Sequence, residues 1–433
     1  MFKKYKNQDL DVGFWWKKSP KTPSDYVKLL TEQLTKISSL SSATDVKKKG
    51  QEDCSKYLIG LKHFILGDTE PRPTTEAIDE LYMAILRSDL FFHLLSHFQD
   101  LEFEARKEVM LIFAICLNYS KDNKLVAVDY FISQPRTINL MLRTVELSLQ
   151  QNGSQDIFLV TGNMILECIK YEQLCRIILK DPQLWKFFDF ARLANFEMST
   201  ESLQIINSAF TTHVKLVAKE FFINSNNVAK FIKYINRLMT HGSYVTKRQS
   251  TKLLASLVVM RSQNLLMNAY INQPENLKII MTLMTDKSKN LQFDAFNIFK
   301  VMMANPKKQK PIQDILMKNR EKLLMYFETF GLDIQDPMFM NERAFIIQEI
   351  ENIPRLVQSS NSENNTINAS NGGIGNNSNN GSNLSSSMNN INNTSSSPAK
   401  YSMTASTETT PGALSKTNSS HSNHRLPGFQ EMK

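Results

Sequence analysis

A few residues of this 433-residue chain have the type and spacing to bind a metal ion. His93 and His97 are four apart in the segment HLLSH, so both imidazoles lie on one helix face, where they could bind zinc. The glutamate of the HExxH motif of zinc enzymes is absent, and a pair of polar or partly buried histidines is the simpler interpretation. The motifs of serine hydrolases, P-loop NTPases, protein kinases and EF-hands are also missing. The sequence therefore predicts a non-enzyme without a metal or cofactor.

A second kind of chemistry is the binding of a peptide by cations that lie beside apolar helix positions. Arg248 and Lys252 are four apart in SYVTKRQSTKLLASLV, next to an apolar stripe, and Lys278 and Met281 are three apart in NLKIIMTLM. Methionine packs adaptably on aromatic rings, and arginine pairs with carboxylates. If the two pairs share one side of the fold, they form a groove for a peptide with an aromatic ring and a carboxylate. A solvated helix edge is the alternative that periodicity leaves open.

Composition predicts a folded, helical chain. Only 14 glycines and 14 prolines argue against a turn-rich β-fold, and 42% of the residues are apolar. Neither an apolar run of transmembrane length nor the apolar segment of a secretory signal is present, so we expect a soluble intracellular protein. The net charge of +9 is spread over interleaved acidic and basic residues and favours an acidic partner only weakly. Four cysteines without CxxC spacing are expected to be buried free thiols: Cys54, Cys116, Cys168 and Cys175.

A short degenerate pattern returns six times along the chain. Its copies begin at Ile85, Phe131, Ile178, Phe222, Tyr270 and Leu316. Successive copies are 46, 47, 44, 48 and 46 residues apart. In each copy the apolar end of one helix is followed by two polar residues, then by Asp, Pro, Asn or Arg, and by a new amphipathic helix. A period near 46 with two or three helices per unit predicts an all-α, armadillo/HEAT-like helical-repeat solenoid.

The pattern fades at both ends, which divides the chain into three parts. Residues 1–16 are expected to be a flexible N-terminal extension, and residues 17–356 the helical-repeat domain. Residues 357–433 are dominated by Asn and Ser and contain too few apolar side chains to offset the entropy of an ordered chain. We therefore predict a disordered C-terminal tail.

Long stretches of the sequence resemble one protein family. The segments YVTKRQSTKLL, PENLKIIMTLMTDKSKNLQFDAFNIFKVMMANPKK, PIQDILMKN, GNMILECIKYEQLCRIIL and SPKTPSDYVKLL are similar to the calcium-binding protein 39-like family, the Mo-twenty-five scaffolds. The resemblance covers roughly residues 17 to 330, and the Asn-rich extension outside it looks like a fungal elaboration. No calcium loop accompanies the family's name, so no calcium is expected.

The resemblance implies a non-catalytic scaffold that binds and allosterically activates Ste20 or germinal-centre-type protein kinases or pseudokinases. It implies a concave face that holds the kinase domain, at positions matched here by Tyr244, Arg248, Lys252 and Arg261. It also implies a pocket for the partner's C-terminal Trp-Glu-Phe tail, at positions matched by Lys278, Met281 and Lys318. Fungal relatives imply a place upstream of a nuclear-Dbf-two-related kinase in polarised growth, morphogenesis and cell separation. A cytoplasmic protein concentrated at growth and division sites follows from the same resemblance.

One residue departs from the family's pattern. The position after EMST is aromatic in relatives and is Glu201 here. This change alters the N-terminal edge of the expected concave contact and suggests a different kinase partner.

A helical-repeat adaptor that binds RNA or transport cargo is the alternative function, because it would use the same charge on the same fold. RNA-reading repeats present aromatic or amide side chains at matching positions in every repeat. The six copies show no such set. The kinase scaffold is therefore the preferred hypothesis.

Ending the chain after Val357 is expected to leave the fold intact, because the deleted segment contributes almost no apolar surface. The thermal unfolding temperature of the truncated protein should match that of the full-length chain. A decrease of more than a few degrees would mean that the tail packs on the helical domain.

Overall fold

Helices make up nearly all the regular structure of the residues that the computed structural model describes, which are 22–39, 45–69, 71–150 and 155–355. The α-helices in chain order are α1 Pro23–Ser38, α2 Asp45–Leu66, α3 Thr75–Arg87, α4 Leu90–Ser96, α5 Phe103–Asn118, α6 Val126–Ser133, α7 Arg136–Gln150, α8 Gln155–Ile169, α9 Glu172–Lys180, α10 Leu184–Leu193, α11 Phe196–Thr211, α12 Val214–Leu216, α13 Ser225–His241, α14 Tyr244–Val259, α15 Asn264–Ile271, α16 Pro274–Met284, α17 Lys289–Met303, α18 Lys310–Thr329 and α19 Pro337–Glu351. The all-α prediction is confirmed.

Shorter elements complete the chain. A π-helical turn, Val217–Phe221, continues α12, and 3₁₀ turns occur at Phe98–Asp100 and Arg261–Gln263. Two-residue strands, β1 Ser120–Lys121 and β2 Lys124–Leu125, pair in an antiparallel hairpin. None of the helices within the described ranges is long and apolar enough to cross a bilayer.

Helices pack in rows, because corresponding helices of successive three-helix units lie side by side. Row A consists of α2, α5, α8, α11, α14, α17 and α19, each in contact with the next. Row B consists of α10, α13, α16 and α18, and α4 packs against α7 in the same way earlier in the chain. From α7 to α19, each row A helix also packs against the helix that precedes it. This arrangement confirms the armadillo/HEAT-like solenoid.

A single apolar core runs through the units, from Val27 to Ile350. Polar contacts between units join side chains that are about one period apart, such as Lys62 and Glu108, 46 residues apart, whose Nζ–Oε1 distance is 2.7 Å. The four cysteines lie in or beside this core as buried free thiols, as predicted. The expected extension, residues 1–16, and the expected tail, residues 357–433, lie outside the described residues.

Five of the six repeat copies mark a boundary between helices, and the sixth does not. Pro274, for example, is the first residue of α16. The copy that begins at Leu316 lies inside the uninterrupted helix α18, so the predicted boundary there is wrong. Arg320 is instead buried within α18, and its guanidinium donates hydrogen bonds to the carbonyl oxygens of Glu351 (3.1 Å) and Ile353 (2.9 Å).

Candidate functional site

The seven predicted partner-binding residues fall into two groups on different rows. The row A residues lie on α14 and the 3₁₀ turn after it: Tyr244, Arg248, Lys252 and Arg261. The row B residues lie on α16 and α18: Lys278, Met281 and Lys318. The arginine–lysine pair and the lysine–methionine pair were expected to share a groove if they lay on one side of the fold. Their helices belong to different rows, so we treat the two groups as separate surfaces.

The start of α14 is held in place by hydrogen bonds to neighbouring helices. Ser243 caps the helix by accepting a hydrogen bond from the backbone N–H of Thr246 at 3.2 Å. The Thr246 hydroxyl donates to the carbonyl oxygen of Ala191 in α10 at 3.1 Å. Tyr244 is half exposed, and its hydroxyl lies 3.0 Å from that of Ser288, the N-cap of α17. The exposed Tyr244 ring is therefore presented from a fixed position.

Arg248 faces a carboxylate that sequence reasoning missed. The Arg248 Nε lies 3.8 Å from the Oδ2 of Asp294 on α17, and the Asp294 side chain is only 19% exposed. Burial raises the pKa of Asp294, and the charges of Arg248 and Lys252 act in the opposite direction. The signal in the sequence was the spacing, because Asp294 follows Arg248 by one repeat period of 46 residues. Arg248 and Lys252 therefore offset part of the cost of burying the Asp294 carboxylate.

Arg261 extends from an anchored turn. The neighbouring Gln263 is buried, and its side-chain amide donates a hydrogen bond to the carbonyl oxygen of Val214 at 2.9 Å. This contact fixes the 3₁₀ turn against the start of α12. Arg261 itself is exposed, at the end of α14 opposite to Tyr244.

The row B residues lie on two helices that contact each other, α16 and α18. The Tyr326 hydroxyl of α18 donates to the carbonyl oxygen of Met284 in α16 at 2.8 Å, which ties the two helices together. Met281 is half buried and packs against the core. Lys278 pairs with Glu275 at 2.7 Å, but both side chains are more than half exposed, so this pair contributes little stability. Little stability would therefore be lost if Lys278 paired with another carboxylate instead. Lys318 is exposed on the adjacent helix, α18.

Glu201 is half buried on α11 and packs against Gly162 of α8. A Cβ atom at Gly162 would lie 2.8 Å from both Cγ and Oε1 of Glu201, so the glycine leaves the room that the carboxylate occupies. Among the described residues the Glu201 Oε1 is buried without a hydrogen-bond partner. Burial raises the pKa of Glu201 to about 7.

The side chains that could bind a metal ion do not cluster in the described residues. No group of three or more His, Cys, Asp or Glu side chains that could hold a metal ion occurs in the part of the chain that the structure describes. His93 and His97 are both partly buried, and the Nδ1 of His97 lies 3.7 Å from a carboxylate oxygen of Asp100.

Comparison with known proteins identifies relatives along most of the chain. A family model described as Mo25-like matches residues 14–354. Protein HYM1 of Saccharomyces cerevisiae is 68% identical over 360 residues, which cover 83% of this chain and 90% of the relative. The Mo25-like protein of Schizosaccharomyces pombe is 33% identical over 343 residues, 79% of this chain and all of the relative. The human calcium-binding protein 39-like is 34% identical over 339 residues, 78% of this chain and 97% of the relative.

Replacing Arg248 with methionine is expected to reduce the free energy of unfolding at pH 7 by about 1 kcal/mol, as for a partly exposed ion pair. The folded-state pKa of Asp294 already lies above its ordinary value, so ionisation of Asp294 opposes folding, and the variant removes the charge that offsets this effect. The loss should disappear below about pH 3, where Asp294 is largely protonated in both the folded and the unfolded state. Urea unfolding at the two pH values measures the effect.

The double variant Arg248→Met with Asp294→Asn is the matched control, because it removes the charge from both partners. It should recover most of the stability at pH 7. An equal loss in the single and double variants would show that Arg248 acts through its packing and not through Asp294.

Proposed function

The chain belongs to the Mo25-like family, and from this premise we propose that it is a non-catalytic scaffold that binds and activates a Ste20 or germinal-centre-type protein kinase or pseudokinase. One observation carries the proposal. Two groups of exposed or partly exposed cations, each with an aromatic or thioether side chain in the same group, lie on helices that hydrogen bonds tie to neighbouring helices. Such surfaces suit a protein partner with acidic and aromatic residues.

The row B residues suit a partner tail that ends in Trp-Glu-Phe. Met281 offers a half-buried, adaptable surface for an aromatic ring. Lys278 leaves its exposed ion pair with Glu275 and pairs with one carboxylate of the tail. Lys318 on α18 pairs with a second carboxylate of the tail. A tail with two aromatic rings, a glutamate and a terminal carboxylate matches this combination.

The row A residues suit the kinase domain. The exposed Tyr244 ring, the cations Arg248 and Lys252 and the exposed Arg261 lie along one helix and the turn that ends it. A scaffold that contacts only the active arrangement of a kinase shifts the kinase population towards that arrangement. No catalytic group from the scaffold is needed for this activation.

The cellular setting rests on the family premise. We propose that the partner kinase acts upstream of a nuclear-Dbf-two-related kinase, in polarised growth, morphogenesis and cell separation. In this setting the scaffold acts in the cytoplasm, at growth sites and the division site.

Replacing Met281 with alanine is expected to weaken binding of a synthetic peptide that ends in Trp-Glu-Phe about tenfold or more. The loss of an aromatic contact of roughly 1.5–3 kcal/mol corresponds to this factor. Isothermal titration calorimetry on the full chain measures the affinity. Met340→Ala is the matched control, because Met340 is an exposed methionine on α19, and it should bind the peptide like wild type.

Circular dichroism and thermal melts show whether Met281→Ala remains folded, which matters because Met281 also packs against the core. Peptide affinity unchanged by Met281→Ala, in a folded variant, would refute the assignment of the tail pocket.

Kinase activation by the full scaffold is expected to depend on both groups. In an Asp294→Asn background, which avoids leaving an unpaired half-buried carboxylate, Arg248→Met should weaken capture and activation of a tail-bearing Ste20-type kinase and leave peptide binding unchanged. Adding Met281→Ala should abolish capture, because two linked contacts raise each other's effective concentration. Activation by the triple variant equal to that by wild type would contradict the scaffold function. Binding lost on nuclease treatment would favour the RNA adaptor.

A further inference from the structure

Row A contains two half-buried carboxylates, Asp294 and Glu201, that differ in the cations near them. Asp294 on α17 has the Arg248 guanidinium at 3.8 Å and the charge of Lys252, and both lower its pKa against the effect of burial. For Glu201 on α11, burial is the only cause of its raised pKa. A half-buried carboxylate needs a cation or hydrogen-bond donors to offset its lost hydration. In the described part of the chain a buried oxygen of each acid, Asp294 Oδ2 and Glu201 Oε1, lacks a hydrogen-bond partner, but only Asp294 has nearby cations that offset its burial.

The contact between α8 and α11 leaves room for the Glu201 carboxylate. Gly162 lies in the interior of α8, where glycine weakens a helix. Any side chain there would collide with Glu201, since a Cβ would lie 2.8 Å from Cγ and Oε1. One carboxylate oxygen, Oε1, is buried without a hydrogen-bond partner in the described part of the chain, while the residue as a whole stays partly accessible. A group from solvent can therefore approach the Glu201 side chain at its accessible part, although Oε1 itself is covered.

Cations on the neighbouring helices do not meet the need of Glu201. The helices packed against α11 are α8, α9, α10 and α14. Their charged residues, with Glu197 of α11 itself, are Asp156, Glu167, Glu172, Arg176, Lys180, Lys186, Asp189, Arg192, Lys247, Arg248 and Lys252. None of these charges contributes to the shifted pKa of Glu201, which burial alone accounts for. Among the described residues, therefore, no cation pairs with Glu201.

We propose that Glu201 is a specificity-determining residue, and that an arginine or lysine side chain of the partner pairs with its carboxylate where α8 and α11 meet. This inference rests on the proposed function, because α11 packs against α14, which carries most of the row A residues. A cationic side chain supplies charge and hydrogen-bond donors together, which is what a buried carboxylate oxygen lacks. The scaffold thereby selects kinases with a basic residue at this contact, and an aromatic residue at position 201 would select differently.

The pH dependence of partner binding distinguishes a protonated Glu201 from an ionised one. If Glu201 bound its partner as the protonated acid, donating a hydrogen bond to a carbonyl, binding would strengthen as the pH falls. If the carboxylate binds a cation, binding strengthens as the pH rises through the pKa of Glu201, about 7 in the free chain.

The test compares wild type, Glu201→Gln and Glu197→Gln for binding to the kinase domain of a Ste20-type kinase without its tail. Glu197 is the matched control, because it is an exposed glutamate one turn earlier on α11. At pH 8, Glu201→Gln should bind about tenfold more weakly than wild type, and Glu197→Gln should bind like wild type. At pH 6, where about a tenth of Glu201 is ionised, the difference should shrink to about twofold. Surface plasmon resonance with the full-length scaffold measures these affinities.

Each outcome has a separate meaning. Thermal melts should show Glu201→Gln to be at least as stable as wild type at pH 8, since it removes a poorly hydrated charge, so weaker binding would not reflect unfolding. Equal affinities of wild type and Glu201→Gln at pH 8, or binding that strengthens towards pH 6, would overturn the pairing and leave the proposed function intact. Failure of the kinase domain to bind any of the three proteins, together with failure of the Trp-Glu-Phe peptide, would overturn the proposed function and this inference with it.

Discussion

No unit of this protein can bury its apolar helix faces alone, and the stacking of neighbouring units is the constraint on which the rest of the structure depends. The result is a single core that extends from Val27 to Ile350. Since each unit contacts its neighbours, side chains about 42 to 50 residues apart become partners, as Lys300 and Glu342 illustrate. Surface positions are therefore held by a frame that the individual helices could not provide.

The stacking of the helices also sets the charges that surround the two half-buried acids of row A, Asp294 and Glu201. Packing α14 against α17 brings Arg248 to Asp294, and packing α8 against α11 buries part of Glu201. Burial raises the pKa of both acids, but among the described residues only Asp294 has cations that counter the effect. The charge on this surface is therefore unevenly balanced, which is the basis for the proposed pairing of Glu201 with a partner's cation.

The two groups of candidate residues lie on different rows of helices. Their separation is set by the core, because α14 belongs to row A and α16 and α18 belong to row B. A partner that has both a folded domain and a C-terminal tail can engage two surfaces at once, and each contact raises the effective concentration for the other. Weak exposed pairs such as Lys278–Glu275 are suited to this role, because little stability is lost when they exchange partners.

The sequence by itself determined the all-α class, the period near 46, five of the six unit boundaries and the buried cysteines, because these depend on local helix periodicity and on short polar breaks. Only the tertiary structure decided that α18 runs through the sixth boundary, where Arg320 binds the end of α19. It also decided that Arg248 meets Asp294 and that Glu201 is half buried against Gly162. These contacts join residues 31 to 46 positions apart, so they arise from how the helices stack and not from any local pattern.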